Sequence, residues 1–439
     1  MNKILKNKFS IYPLSIIVSL FILILMYKLN ILTINIFELY NYYNLFPNPY
    51  YQFSLGLLAF IAITICMMTF VSNKLYIIAW LIKAFVTIFI AMGLEYLYYG
   101  LDQFSYYVTA IYAPESHPFF KTSIGTIIGL NAFFVKVFGE SLYSLKLVNS
   151  FISFCALILF HKSYLLIGKE YKNNKNDNLL SYILFFVPTV LLWTSLLGKD
   201  ALILFPISLF TYSSLKLINK ITLFNIILFL ISFILAFYIR PWIPLIMLSS
   251  IVVYNIKFNK ISLILIVVSI PVLYFISMKL MVTLNIESFD SLMNRVGQLQ
   301  QSFSRGNSAV NLPIIKTLWD YIYYFIPNAF ITLFLPLPFL GTSNIFLWFF
   351  SLENLLLLYV FLRYIAWNIK LIIFDKYARF LLFFIISWLL LYVIVSPGNL
   401  GTAMRYKVQI IPVILLLALY ARNFKNGILK NGYKNIDEN

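Results

Sequence analysis

Long apolar runs, each close to the length a helix needs to cross a bilayer, follow one another along this chain. They lie at 11–32, 54–72, 76–97, 142–162, 179–197, 201–217, 221–239, 242–256, 261–283, 345–364, 378–396 and 407–421. A helical crossing takes roughly 20 such residues, and in lipid the helix satisfies its own backbone polar groups. The 439 residues are 62% hydrophobic and 11% charged, with a mean hydropathy of +0.89, more apolar surface than a soluble fold of this size can bury. The sequence therefore predicts an all-α, polytopic integral membrane helical bundle of about 12 transmembrane helices. No small-residue cleavage site follows the first apolar run, so it reads as a retained span rather than a signal peptide.

A further apolar stretch, 318–340, carries Pro327, Pro336 and Pro338. Proline interrupts the helical hydrogen-bond ladder, so this stretch is expected to be re-entrant or interfacial. The basic residues orient the rest. Lys3, Lys6 and Lys8 place the N-terminus in the cytoplasm, and alternation then leaves Lys74, Lys162, Lys169, Lys216, Lys257, Arg363, Lys376 and the tail lysines on the same face. Positive residues favour that side, and the assignment holds only if 318–340 does not cross. Both termini are then inside. Residues 1–75 form two additional N-terminal helices, 76–422 a transmembrane core with outer loops at 98–141 and 284–344, and 423–439 a basic tail. Interfacial helices are expected in the outer loops, the one at 119–138 with Lys121 and Lys136 reaching outward.

The net charge of +18 does not point to nucleic acid, because the lysines lie in short loops and tails and no basic domain stands apart. They face anionic lipid instead. Cys66 and Cys155 sit in apolar runs without metal-ligand spacing. No phosphate-binding glycine fingerprint appears, and no internal repeat of the kind found in many transporters.

The outer face gathers the polar groups. Asp102 and Tyr106 lie one helical turn apart, and a carboxylate at the edge of a partly dry cavity suits general-base work on a hydroxyl. His117, in Glu115-Ser116-His117-Pro118, titrates near neutrality and reads as a proton shuttle or a solvated loop residue. Lys199 and Asp200 occupy a tight turn between two runs, either as a neutralising pair or with Lys199 binding a phosphate. Arg240, Arg295, Arg305 and Arg405 fall on this face, where planar guanidinium groups match phosphate oxygens. Arg405 lies in the turn Pro397-Gly398-Asn399-Leu400-Gly401-Thr402-Ala403-Met404-Arg405-Tyr406-Lys407, whose glycines allow close approach to a ligand, and heads the last run.

Taken in order, the stretch from Gly100 to Asp200 resembles the N-terminal core of the GT-C superfamily, polytopic glycosyltransferases that include protein O-mannosyltransferases and the aminoarabinose transferase of lipid A. The matching residues are Asp102 and Tyr106, His117-Pro118, Gly139-Glu140-Ser141 with Asn149, Pro188, Trp193-Thr194-Ser195 and Lys199-Asp200, with Arg405 a looser echo. The second acidic residue of the family's usual pair is Gln103 here, two spans precede the core, and the large soluble C-terminal domain of some members is not seen.

The resemblance implies inverting transfer of a sugar from a polyprenyl-phosphate-linked donor to a glycan, lipid or protein acceptor, at the periplasmic or extracellular face of a bacterial plasma membrane. Asp102 would be the base, with Tyr106, His117, Lys199, Asp200, Arg240, Arg295, Arg305 and Arg405 binding substrate. No cofactor is called for, and assistance by a divalent cation (Mg or Mn) stays open. Two other readings compete. A polysaccharide polymerase joining lipid-pyrophosphate-linked repeat units fits the spacing of Arg295 and Gly306. A lipid-linked glycan transporter would instead need polar groups through several spans, and Lys83, Lys146 and Glu353 are the main ones.

Overall fold

In lipid, a helix end needs a partner for its free N–H groups as much as a soluble helix does, and short polar residues supply it here. Asn73 accepts from the Leu75 amide at 3.0 Å, Thr222 from Asn225, and Asn399 from Thr402 at 3.0 Å. Asp375 accepts from both Tyr377 and Ala378. These are places where an apolar run gives way to a polar residue, so the sequence marks the start of these four helices. The structure, a computed structural model, describes residues 49–71, 73–91, 101–116, 123–168, 180–254, 289–304, 308–310, 312–341 and 345–423. Among them the ordered elements are helical, and the only β pairing consists of two isolated bridges.

The chain divides into two compact units, Met1–Ile158 with Leu191–Phe205, and Leu159–Val190 with Pro206–Asn439. The helices α1 (Pro49–Phe70), α2 (Lys74–Phe85), α3 (Leu101–Tyr112), α4 (Ile124–Phe138) and the greater part of α5 (Leu142–Gly168) belong to the first unit. Helix α2 continues through a π turn, Val86–Ile90. In this unit Trp80 is fully buried, donates to Thr64 at 3.2 Å and meets Phe151 edge-on at 5.4 Å. Gly56 lets the backbone of α1 approach Tyr143, where a Cβ would come within 2.5 Å of the tyrosine Cβ.

The remaining helices of eight residues or more are α6 (Lys199–Asn219), α7 (Leu223–Ile239), α8 (Ile243–Tyr254), α9 (Phe289–Phe303), α10 (Leu318–Phe334), α11 (Ile345–Val360), α12 (Lys376–Val395), α13 (Leu400–Lys407) and α14 (Ile411–Asn423). The core of the second unit is aromatic. Phe210 lies 5.5 to 5.8 Å from the rings of Phe229, Phe233, Phe380 and Phe384, a spacing at which ring quadrupoles attract beyond the area buried.

Five helices among the described residues are long and apolar enough to cross a membrane: Tyr51–Phe70, Leu142–Gly168, Lys199–Asn219, Leu347–Ala366 and Lys376–Val395. The pair α13 and α14, bent by 57°, makes a sixth if it is one span. One predicted run takes another form: 179–197 is a 3-10 turn, Ser181–Phe185, then the short helix Pro188–Trp193, with the ladder interrupted at Phe186 and Val187. The run 221–239 contains the 17 residues of α7, and 242–256 is helical from Ile243 to Tyr254, where this stretch of described residues ends. The runs 11–32 and 261–283 lie outside the described residues. Segment 318–340 is helical through Pro327 as far as Phe334 and then turns at Leu335–Leu340, with Leu337 and Leu340 bonded to each other.

Candidate functional site

Helix α3 brings the first set of residues together. Asp102 is exposed in its first turn, and Tyr106, one turn on, is buried. Between them Gln103, 2% exposed, accepts the Leu197 amide at 3.0 Å, and a Cβ on Gly198 would lie 3.7 Å from the Tyr106 ring. The turn Thr194–Gly198 is thus docked on the face of α3 that follows Asp102. It ends at Lys199 and Asp200, the first residues of α6. Lys199 donates to the Ser123 hydroxyl at 2.8 Å, while Asp200 is 3% exposed. Ser123 itself has φ 68°, a region unusual for a residue with a side chain. Residues nearly a hundred positions apart in sequence, Gln103 and Tyr106 on one side and Leu197 to Lys199 on the other, meet here.

The motif Gly139-Glu140-Ser141 joins the same unit. The Tyr107 hydroxyl donates to the Glu140 carbonyl at 3.3 Å. Burial above all, with Tyr112 and Glu140 adding to it, pushes the Tyr107 phenol well up, so it stays a donor at neutral pH. Ser141 donates to the Gln52 carbonyl at 2.6 Å, and Asn149 to the Asn131 carboxamide oxygen at 3.1 Å. The buried Gln103 Nε2 has no hydrogen-bond acceptor among the described residues. It is a donor held one residue from Asp102 and suited to an acceptor oxygen on a ligand.

The second set lies in the second unit. Arg240, 2% exposed, places its guanidinium 4.7 Å from the centre of the Tyr406 ring, with Nη1 3.4 Å from the Tyr392 hydroxyl. Trp242 donates to the same hydroxyl at 2.9 Å, and Tyr392 stacks on Trp388 at 4.5 Å. A guanidinium over an aromatic face is a stable arrangement away from water. Arg405, half-buried, precedes Tyr406 on α13, and Phe303 at the end of α9 meets Tyr406 edge-on at 6.3 Å. Arg295, also on α9, donates to Gln298 at 2.7 Å. His117 and Arg305 lie outside the described residues.

The Pro397–Lys407 turn differs from its sequence reading. Its glycines make room for another part of the chain: a Cβ on Gly398 would run into the Ser304 hydroxyl, and one on Gly401 would come 3.1 Å from the Ser308 hydroxyl. Val310 donates to the Gly398 carbonyl at 2.9 Å and Leu400 to the Ser308 carbonyl at 3.0 Å, so Ser308 to Val310 lie along the turn.

Two fully buried lysines and a half-buried glutamate lie outside the residues that the sequence reading assigned to the transferase site. Lys407, fully buried, donates to the Leu335 carbonyl at 3.0 Å and to Asn354 at 2.7 Å. Glu353 accepts both the amide and the hydroxyl of Thr189, at 2.7 and 2.9 Å. Lys83, fully buried, donates to the Thr194 hydroxyl at 2.6 Å. Their only signal in sequence is a charge inside or bordering an apolar run. Among the described residues no group of three or more His, Cys, Asp or Glu is placed to hold a metal ion.

No known protein family, characterised protein or solved structure matches this chain.

Proposed function

We propose that the protein is a membrane glycosyltransferase of GT-C type, moving a sugar from a polyprenyl-phosphate donor to a hydroxyl acceptor on the outer face of a bacterial plasma membrane. The observation that carries this reading is the meeting of α3 with the turn that ends in Lys199. It puts a carboxylate, a buried amide donor and an ammonium on two elements joined by the Gln103–Leu197 hydrogen bond. The topology that goes with it has about 12 crossings and both termini in the cytoplasm.

In this reaction the acceptor hydroxyl oxygen attacks the anomeric carbon while its proton passes to the Asp102 carboxylate. The bond from that carbon to the phosphate oxygen breaks, and its electron pair leaves on the polyprenyl phosphate. The configuration at carbon inverts. Lys199 is the cation for the charge that develops on the phosphate, and the Gln103 amide donates to the donor or the sugar. The lipid donor arrives through the bilayer, so no nucleotide-binding domain is required.

Binding of the leaving lipid tests this reading without knowledge of the sugar. Full-length protein in lipid nanodiscs is expected to bind a polyprenyl phosphate saturably and the matching polyprenyl alcohol far more weakly. Equal binding of both would contradict it.

A further inference from the structure

Five fully buried polar residues of the first unit, Lys83 among them, close a ring of hydrogen bonds. The Lys83 ammonium donates to Thr194 Oγ1 at 2.6 Å, its one hydrogen bond among the described residues. The Ser153 hydroxyl reaches both the Thr194 carbonyl, at 3.2 Å, and the Ser150 carbonyl, at 2.7 Å. The Thr87 hydroxyl donates to the Lys83 carbonyl at 2.8 Å, so the 2.8 Å contact between Thr87 and Ser150 has Ser150 as donor. The ring thus runs Lys83, Thr194, Ser153, Ser150, Thr87 and back to Lys83. Thr87 belongs to the π turn that interrupts α2, a feature concentrated at functional places in helices.

A buried ammonium beside a neutral hydroxyl is an expensive way to fill space, since an apolar side chain of the same size would lose no hydration. What the lysine supplies is reach and direction. Ser195, in the turn itself, bonds back to the preceding helix, its hydroxyl to the Leu191 carbonyl at 2.6 Å and its amide to the Leu192 carbonyl at 2.9 Å, while Leu196, Leu197 and Gly198 carry no polar side chain. Thr194 therefore anchors the start of the turn through its side chain, as the Gln103 bond to Leu197 and the Lys199 bond to Ser123 fix its middle and its end.

We propose that Lys83 is a positioning residue, one that locks the Thr194–Lys199 turn so that Lys199 is presented to the phosphate of the lipid donor. What the turn binds rests on the function proposed above; that Lys83 locks the turn does not.

The test uses full-length protein in nanodiscs, with amide hydrogen exchange over 194–199, apparent melting temperature and polyprenyl phosphate binding measured together. Lys83→Met removes the charge at similar volume, Thr194→Val removes the acceptor and keeps the lysine, and Thr194→Ser restores it. Lys83→Met and Thr194→Val are each expected to speed exchange across the turn by about tenfold and to weaken phosphate binding in proportion. The double variant should resemble either single one, and Thr194→Ser the wild type. Unchanged exchange in Thr194→Val, or a lowered melting temperature with unchanged exchange in Lys83→Met, marks a merely structural lysine and overturns the proposal. Faster exchange with undiminished binding overturns it as well. Faster exchange in a protein whose wild type binds no polyprenyl phosphate leaves the lock standing and removes the assigned ligand.

Discussion

The carboxamide oxygen of Gln103 accepts the main-chain N–H of Leu197 at 3.0 Å, tying the helix that begins beside Asp102 to the turn that ends at Lys199. A buried N–H left without an acceptor costs about 1–3 kcal/mol. Gln103→Leu is therefore expected to lower the apparent melting temperature and to loosen the turn, whereas Gln103→Glu, which keeps an acceptor, is expected to hold the turn and lose only the Nε2 donor. Thermal unfolding and hydrogen exchange of the two variants side by side check this. Equal behaviour of the two would remove the bond from the account.

Gly139 has φ 81° and ψ 173°, a region open in practice to glycine alone. A Cβ there would also come within 2.5 Å of a Leu55 methyl. Gly139→Ala should destabilise the protein by about 1–3 kcal/mol from backbone strain, with Leu55→Ala relieving the clash but not the strain. Melting temperatures of the single and double variants separate the two contributions.

Glu353 holds both donors of Thr189, at the start of the short helix Pro188–Trp193. Glu353→Gln retains one acceptor oxygen, while Glu353→Leu strands the Thr189 amide and hydroxyl in an apolar setting. The leucine variant is expected to lose about 1–3 kcal/mol for each donor left unsatisfied, and the glutamine variant distinctly less. Thermal unfolding in nanodiscs ranks them, and equal losses would contradict the assignment.

Acid should weaken the start of α10, which is not among the helices long enough to span. The Lys316 and Thr317 amides and the Thr317 hydroxyl hold the Asp320 carboxyl below the usual carboxylate range. Thr317 in turn accepts from the Asp320 amide, closing a capping box. Since the folded-state pKa is the lower one, the carboxylate stabilises the helix start at neutral pH, and that contribution is lost as pH falls below about 4. Asp320→Asn should flatten this part of the pH dependence. Proteolytic cleavage near Lys316 as a function of pH reads it, and identical profiles for wild type and variant would refute it.

The long apolar runs were legible because lipid leaves the backbone few other choices. The runs 54–72, 142–162, 201–217 and 378–396 end within a few residues of α1, α5, α6 and α12, or extend a turn or so short of them. The interruption at Phe186, the π turn after Lys83 and the bend after Lys407 were not legible. Hydropathy reports composition, and these features are changes in backbone bonding within stretches of constant composition. At the site, the one-turn spacing of Asp102 and Tyr106 could be read directly, because it is local. That Lys199 meets Ser123, that Gln103 meets Leu197 and that Lys83 meets Thr194 are pairings across 76, 94 and 111 positions. Nothing in a single sequence encodes such partners. The glycines at 398 and 401 mark a close approach correctly, but a glycine cannot say whether a ligand or a loop makes it.

The central claim is that Asp102 takes the acceptor proton in a sugar transfer. The most direct measurement is the profile of surface and lipid-linked glycans in cells carrying wild type or Asp102→Asn at matched protein levels. Loss of one sugar from an otherwise intact glycan, with the variant inserted normally, is the expected result. Collapse of a long ladder to single repeat units would identify a polymerase instead, and an unchanged profile would contradict the account.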